Sequence, residues 1–118
     1  MKHAGSPILK VEWIGDDRRA VVVEAVGDID LHRSAEFQEE LLALPEQRPE
    51  QIIVDLSGVT YMDSSGVASL VKLLARVRRT NMALKLVGLT PRVRSVFEIT
   101  RLETVFEIYP SREEALRS

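Results

Sequence analysis

The strongest constraint on the fold is a short run in the middle of the chain, residues 51–56, with the sequence QIIVDL. Its apolar residues are mostly β-branched and stand at consecutive positions. A strand that faces water on one side alternates apolar and polar residues, whereas consecutive apolar residues are typical of a strand covered on both faces. The run therefore predicts an inner strand of a sheet, with other strands beside it and helices packed over it.

Segments with strand and helix patterns alternate before and after this run. Residues 8–14 and 20–26 predict two strands, and the turn residues at 15–17 predict that they form a hairpin. Ser57 and Gly58 are expected to end the inner strand. Further helices are predicted over residues 31–44 and 64–80 and after the capping residues Thr90 and Ser111, and further strands over residues 82–88 and 104–108.

This order of elements predicts an α/β fold. Strands that alternate with helices form right-handed βαβ crossovers, and the opening hairpin adds an antiparallel pair. The expected architecture is a small mixed β-sheet of about five strands, with about four helices packed mainly on one face.

Composition narrows the class of function. The 118 residues contain no repeat or linker, so we expect a single domain over residues 1–118 with a mobile N-terminus at residues 1–7. The net charge of −2 argues against direct nucleic-acid binding. The absence of cysteine excludes disulfides and thiolate chemistry. Neither a signal peptide nor an apolar run long enough to span a bilayer is present, so we expect a cytoplasmic chain without membrane insertion.

The helix predicted over residues 64–80 has two distinct sides. Its apolar stripe, predicted to face the sheet, consists of Val67, Leu70, Val71, Leu74 and Val77. Four cations fall outside this stripe: Lys72, Arg76, Arg78 and Arg79. They form either a solvated face or a contact surface for an acidic partner, and the sequence leaves both open.

The start of the same helix carries the candidate functional segment, Asp63-Ser64-Ser65-Gly66. Asp63 or Ser64 can cap the helix by accepting a hydrogen bond from a free backbone N–H. The positive end of the helix dipole lies beside these side chains, so the site tolerates an anion, including a phosphate on serine. From local chemistry alone, a helix cap is a sufficient explanation of these residues.

Residues near this segment could in principle form two other kinds of site. Asp28, Asp30 and His32 alternate, so with Asp63 they could form a metal or acid–base cluster. A polar strand end and a helix cap explain them equally well, since only one histidine is involved. Around Ser64 the glycine pattern of a nucleophile elbow is absent. We therefore predict no metal, no cofactor and no catalytic residue.

Residues 52–67 resemble the signature segment of the STAS family, named for sulfate transporters and anti-sigma factor antagonists. Further parts of the family pattern are resembled by the element Gly27-Asp28-Ile29-Asp30, by residues 84–93, and by residues 97–102 with Val105-Phe106. The resemblance runs from about residue 8 to the end of the chain. It implies a STAS-like fold and a stand-alone bacterial anti-sigma factor antagonist, which is a binding module and not an enzyme.

The resemblance also implies a switch. The position that matches the phosphorylated serine of the family is Ser64, with Ser65 as the weaker candidate, and the partner-binding residues are Asp30, Asp63, Ser64, Ser65 and Gly66. The implied partners are an anti-sigma factor serine kinase and a protein phosphatase, and the chain is expected to be a monomer or weak dimer. The alternative is a STAS subunit of a lipid or anion transporter assembly.

Overall fold

The computed structural model describes residues 8–15 and 19–118. The helices and strands follow in the order β1 (Leu9–Ile14), β2 (Ala20–Ile29), α1 (Ser34–Ala43), β3 (Gln51–Met62), α2 (Ser64–Arg78), β4 (Ala83–Val87), α3 (Pro91–Ile99), β5 (Glu107–Tyr109) and α4 (Arg112–Arg117). A short 3-10 helix (Leu44–Gln47) follows α1. The predicted mobile segment at residues 1–7 and the turn residues Asp16 and Asp17 lie outside the described residues.

All five strands belong to one mixed sheet with the order β1-β2-β3-β4-β5. β1 and β2 form the predicted antiparallel hairpin, and the remaining neighbours are parallel. β3 lies at the centre of the sheet, between β2 and β4, which confirms the inner strand predicted from its consecutive apolar residues.

The two faces of the sheet are covered unequally. Alternation along β3 directs Val54 into the main core, to which α1, α2 and α3 contribute residues such as Phe37, Leu70 and Phe97. Ile53 points the other way, into a smaller cluster that α4 covers with Ala115. The prediction of helices mainly on one face is confirmed, with α4 as the exception.

The prediction that Ser57 and Gly58 end the inner strand is wrong, because β3 continues to Met62. β2 extends alongside it, and the pairing between the two strands shifts register on either side of Val26, which lies opposite Gly58. A Cβ at Gly58 would lie 3.2 Å from the carbonyl oxygen of Ala25. The glycine therefore permits close approach of the neighbouring strand at an irregularity and does not form a turn.

Two helix predictions need correction. α1 begins at Ser34, so Leu31 precedes the helix and its side chain is 73% exposed. In α2 the predicted stripe residue Val71 is 38% exposed, and Leu73 is fully buried instead. Leu73 lies three residues after Leu70 and four before Val77, so all three share the side of α2 that packs into the core.

The last strand is shorter than predicted. β5 spans Glu107–Tyr109, whereas residues 104–106 form a turn. Phe106 is buried there, with its ring packed edge-on against Phe97 at a centroid separation of 5.5 Å. Phe106 therefore packs under α3, whereas its neighbour Val105 is exposed. Of the helices in the described ranges, none combines the length and hydrophobicity needed to cross a membrane.

Candidate functional site

The candidate site forms where the parallel strands β2 and β3 end side by side. Ile29 pairs with Met62, and the backbone N–H of Asp63 donates a hydrogen bond to the carbonyl of Ile29 at 3.2 Å. The carboxyl ends of parallel strands meet at one edge of a sheet, which is where α/β proteins commonly place their sites. The loop that begins at Asp30 and the start of α2 at Asp63 are therefore neighbours.

Asp63 is the residue that caps α2. Its backbone is extended, and its carboxylate accepts a hydrogen bond from the backbone N–H of Ser65 at 2.9 Å and another from the Ser65 hydroxyl. The Ser65 hydroxyl, followed by the backbone amides of Ser65, Gly66 and Leu31, holds the pKa of Asp63 below its ordinary value despite an opposing effect of burial. The Asp63 carboxylate is consequently ionised at neutral pH.

The two serines of the segment are in different states. Ser64 is the first residue of α2 and is exposed, and its hydroxyl has no hydrogen-bond partner among the described residues. Ser65 is half-buried, and its hydroxyl donates to Asp63. Only the Ser64 hydroxyl is therefore both accessible and uncommitted.

Gly66 is buried beneath the two serines. A Cβ at this position would lie 2.8 Å from Cγ of Met62 and 2.9 Å from Cγ2 of Ile29, closer than side-chain carbons approach in folded proteins. The absence of a side chain lets the first turn of α2 rest directly on the ends of β2 and β3. This close packing fixes the position from which Ser64 points outward.

Asp30 organises the turn that precedes α1. Its carboxylate accepts hydrogen bonds from the backbone N–H groups of His32 at 3.0 Å and Arg33 at 3.3 Å. Arg33 then reaches back along β2, where its Nη1 donates to the carbonyl oxygens of Asp28 at 2.8 Å and Val26 at 3.4 Å. These bonds hold the end of β2 where its pairing with β3 is irregular.

The possible metal cluster does not assemble. The carboxylate of Asp28 accepts a hydrogen bond of 2.6 Å from the Thr60 hydroxyl, while that of Asp30 is used within its own turn. Within residues 8–15 and 19–118, no group of three or more His, Cys, Asp or Glu side chains is arranged to hold a metal ion.

Sequence reasoning missed two exposed residues beside the site. Leu31 presents its side chain to solvent, while its backbone amide contributes to lowering the pKa of Asp63. Tyr61 is 39% exposed, two residues before Asp63. An apolar side chain directly after Asp30 is the signal that could have identified Leu31, because that aspartate folds the turn before the helix.

A second unit with the same local structure lies on the face of the sheet that α4 covers. The carboxylate of Asp55 accepts hydrogen bonds from the backbone N–H of Ser57 at 2.9 Å and from its hydroxyl at 2.7 Å. Its other oxygen accepts a bond of 2.7 Å from Nε of Arg112 in α4. Burial raises the pKa of Asp55, but the Ser57 and Arg112 bonds together outweigh it and hold that pKa below its ordinary value.

Comparison with known proteins gives one family. The model of the STAS domain family matches residues 14–115. The anti-sigma-B factor antagonist of Staphylococcus aureus is 29% identical over 91 residues, which cover 77% of this chain and 84% of the relative.

Solved structures share the fold. An anti-sigma factor antagonist from Mycobacterium paratuberculosis superposes with a TM-score of 0.79 at 23% identity, over 92% of each chain. The phosphorylated form of the Bacillus cell fate determinant SpoIIAA superposes with a TM-score of 0.69 at 23% identity, over 92% of this chain and 96% of the other.

Proposed function

This chain belongs to the STAS domain family, and on that premise we propose that it is an anti-sigma factor antagonist switched by phosphorylation of Ser64. While Ser64 is unphosphorylated, the chain binds an anti-sigma factor serine kinase and so frees the sigma factor. Phosphorylation of Ser64 by that kinase releases the antagonist, and a protein phosphatase restores it. The chain acts in the cytoplasm as a binding module, a monomer or weak dimer, without a cofactor or catalytic residues of its own.

The observation that carries this proposal is the difference between the two serines. A kinase must reach a hydroxyl and align it with a phosphate donor, so an exposed hydroxyl without a hydrogen-bond partner is the better acceptor. Among the described residues, Ser64 meets both conditions, whereas Ser65 is bonded to Asp63. The partner-binding surface then consists of Ser64 with Asp63, Ser65 and the Asp30 turn around it, positioned from beneath by Gly66.

The charge of the phosphate explains the release. A phosphoserine carries about −1.5 to −2 charges and three strong acceptor oxygens. At the first position of α2 it lies at the positive end of the helix dipole, so the fold tolerates it. SpoIIAA, which has this fold, has been solved in phosphorylated and unphosphorylated forms. A partner surface fitted to a neutral hydroxyl beside Asp63 and Asp30 instead meets a dianion, and close like charges and desolvation cost a closed interface several kcal/mol.

The test is phosphorylation of the purified chain by the anti-sigma factor kinase of the same organism. Intact-mass analysis should show one added phosphate in the unaltered chain and in Ser65→Ala, and none in Ser64→Ala. Ser65→Ala is the matched control because it removes the neighbouring hydroxyl and leaves Ser64 in place. Full phosphorylation of Ser64→Ala would refute the assignment. Recovery of a transporter ATPase in place of a kinase in a pull-down would redirect the proposal to the transporter-assembly alternative.

A further inference from the structure

Beyond Ser64, the chain has a long segment without negative side chains. From Ser64 to Phe97 it contains no Asp or Glu but seven Lys and Arg residues. One of them, Lys85, is buried and serves the fold, because its Nζ donates to the carbonyl oxygens of Ala115 at 2.7 Å and Ser118 at 3.1 Å. The other six are exposed.

Part of this positive charge lies in line with Ser64. The outward side of α2 is formed by a stripe that we call the α2 stripe: Ser64, Ala68, Lys72, Ala75 and Arg79, all exposed. Successive members are four, four, three and four residues apart, so they follow one side of the helix. Arg76 lies beside Lys72 and Arg79 and is also exposed. A protein that covers Ser64 and continues along α2 must contact this stripe.

Within residues 8–15 and 19–118, the cations of the stripe have no ion-pair partner. Among the described residues, the ion pairs involve other basic side chains, and α2 itself has no acidic residue. Solvated helices usually mix both signs, and like charges three or four residues apart disfavour the helix. The helix dipole favours Arg76 and Arg79 near the C-terminus of α2, but it does not favour Lys72 in the middle.

We propose that the α2 stripe continues the docking surface of Ser64 and receives an acidic surface of the anti-sigma factor kinase. This inference rests on the proposed function and specifies the partner's chemistry. The small side chains of Ala68 and Ala75, which alternate with the cations, allow the partner's surface to approach α2 closely. A phosphate on Ser64 adds negative charge between the aspartates and the cations of α2, so it weakens the positive surface that the partner's carboxylates would meet.

The same arrangement favours a protein over a uniformly negative partner. Asp63 directly precedes Ser64, and Asp30 directly follows Ile29, whose carbonyl accepts a hydrogen bond from the backbone N–H of Asp63, so the surface changes sign along its length. A nucleic acid or an anionic bilayer carries negative charge throughout and would be repelled at that end. A protein surface can place basic groups opposite the aspartates and acidic groups opposite the α2 stripe.

The experiment measures the affinity of the kinase for Lys72→Glu/Arg79→Glu by titration calorimetry at low and high salt. We expect about tenfold weaker binding at about 50 mM NaCl, and a difference that shrinks to about twofold at about 500 mM because salt screens exposed charges. Arg117→Glu in α4, on the opposite face of the sheet, is the matched control and should bind like the unaltered chain. Lys72→Gln/Arg79→Gln should lie between the two.

The outcomes separate this inference from the proposed function. If the unaltered chain binds the kinase and the double charge reversal binds equally well at low salt, the inference is wrong and the proposed function stands. If the unaltered chain does not bind the kinase, both fail. If the reversal instead abolishes binding to phosphatidylglycerol vesicles or to a single-stranded oligonucleotide while kinase affinity is unchanged, the stripe serves another partner and the inference is overturned. Circular dichroism melting confirms that each variant is folded.

Discussion

The Asp55 and Asp63 units share the same local chemistry and are used differently. In each, an aspartate accepts hydrogen bonds from the backbone N–H and the hydroxyl of the serine two residues later. Asp55 is buried within β3 and pairs with Arg112, 57 residues further along the chain. Asp63 lies at a strand end, and the residue between aspartate and serine is the exposed Ser64 in place of the buried Leu56. The short motif therefore does not determine its own role. Its surroundings decide whether it stabilises the fold or presents a functional site.

The largest effect on stability is expected from removal of the Asp55 carboxylate. Asp55→Ala leaves the Arg112 guanidinium without its closest partner, and we expect a loss of about 2–3 kcal/mol of unfolding free energy, below the range for a fully buried pair because Arg112 is partly exposed. Urea denaturation measures it. Asp55→Asn should lose nearly as much, whereas phosphorylation of Ser64 should continue in both. A loss of phosphorylation in a folded Asp55 variant would show that the two units are coupled.

Removal of the Asp63 carboxylate should reduce stability less than removal of the Asp55 carboxylate does, and should reduce kinase binding more. Asp63→Ala removes a helix cap, and we expect it to lower the unfolding free energy by about 1 kcal/mol. Kinase binding should weaken far more than this loss explains, because Ser64 is no longer held by the capped turn. Asp63→Asn keeps a good cap and should recover the stability. Equal stability losses in Asp63→Asn and Asp55→Asn would contradict the distinction between a cap and an ion pair.

The matched pair Ser57→Ala and Ser65→Ala removes the same hydroxyl bond from each unit. We expect each to lower the unfolding free energy by about 1 kcal/mol or less, because each leaves the backbone N–H bond to the aspartate intact. Thermal unfolding followed by circular dichroism checks the size. Neither variant should lose the single phosphate on Ser64. If the Ser65→Ala chain is no longer phosphorylated, the modified residue is Ser65 and not Ser64.

The smallest effect is expected from pH. The pKa values of both aspartates are lowered in the folded chain, Asp55 by Ser57 and Arg112 against burial, and Asp63 chiefly by Ser65. A lowered carboxyl pKa contributes stability that is present above the unfolded value of about 3.9 and is lost as the pH falls through the folded value. Denaturation between about pH 5 and pH 3 should therefore show falling stability, with a flatter profile in Asp55→Asn. An unchanged profile in that variant would show that Asp55 does not contribute to the pH dependence of stability.

Features of the fold that depend on neighbouring residues in the chain were predictable from sequence. The consecutive apolar residues of β3 predicted its central position in the sheet. The side chains of Thr90 and Ser111 cap α3 and α4 as predicted. At the site, Asp63 was one of two predicted caps, and its bond to Ser65 decides between them. These features depend on contacts within a few residues, which periodicity and capping rules describe.

What could not be predicted depends on contacts between distant residues. β3 passes through Ser57 and Gly58 because β2 extends beside it with a shifted register, and no local pattern in β3 records this. The choice of Leu73 over Val71 as a core residue depends on which side of α2 meets the rest of the core. The hydrogen bond from Arg112 to Asp55 joins residues that are 57 positions apart in the chain. That the Ser64 hydroxyl has no hydrogen-bond partner in the described part of the chain likewise depends on the folded surroundings of α2.

Leu31 has a consequence for how such chains can diverge. Its backbone amide supports Asp63, but its side chain is 73% exposed, so almost any residue could replace it without cost to the fold. Under the proposed function, this position lies at the rim of the contact with the kinase. Gene duplication could therefore produce copies that keep the same switch and differ in partner choice through this residue. Insulation between parallel signalling circuits would require very few mutations and no loss of the folded state.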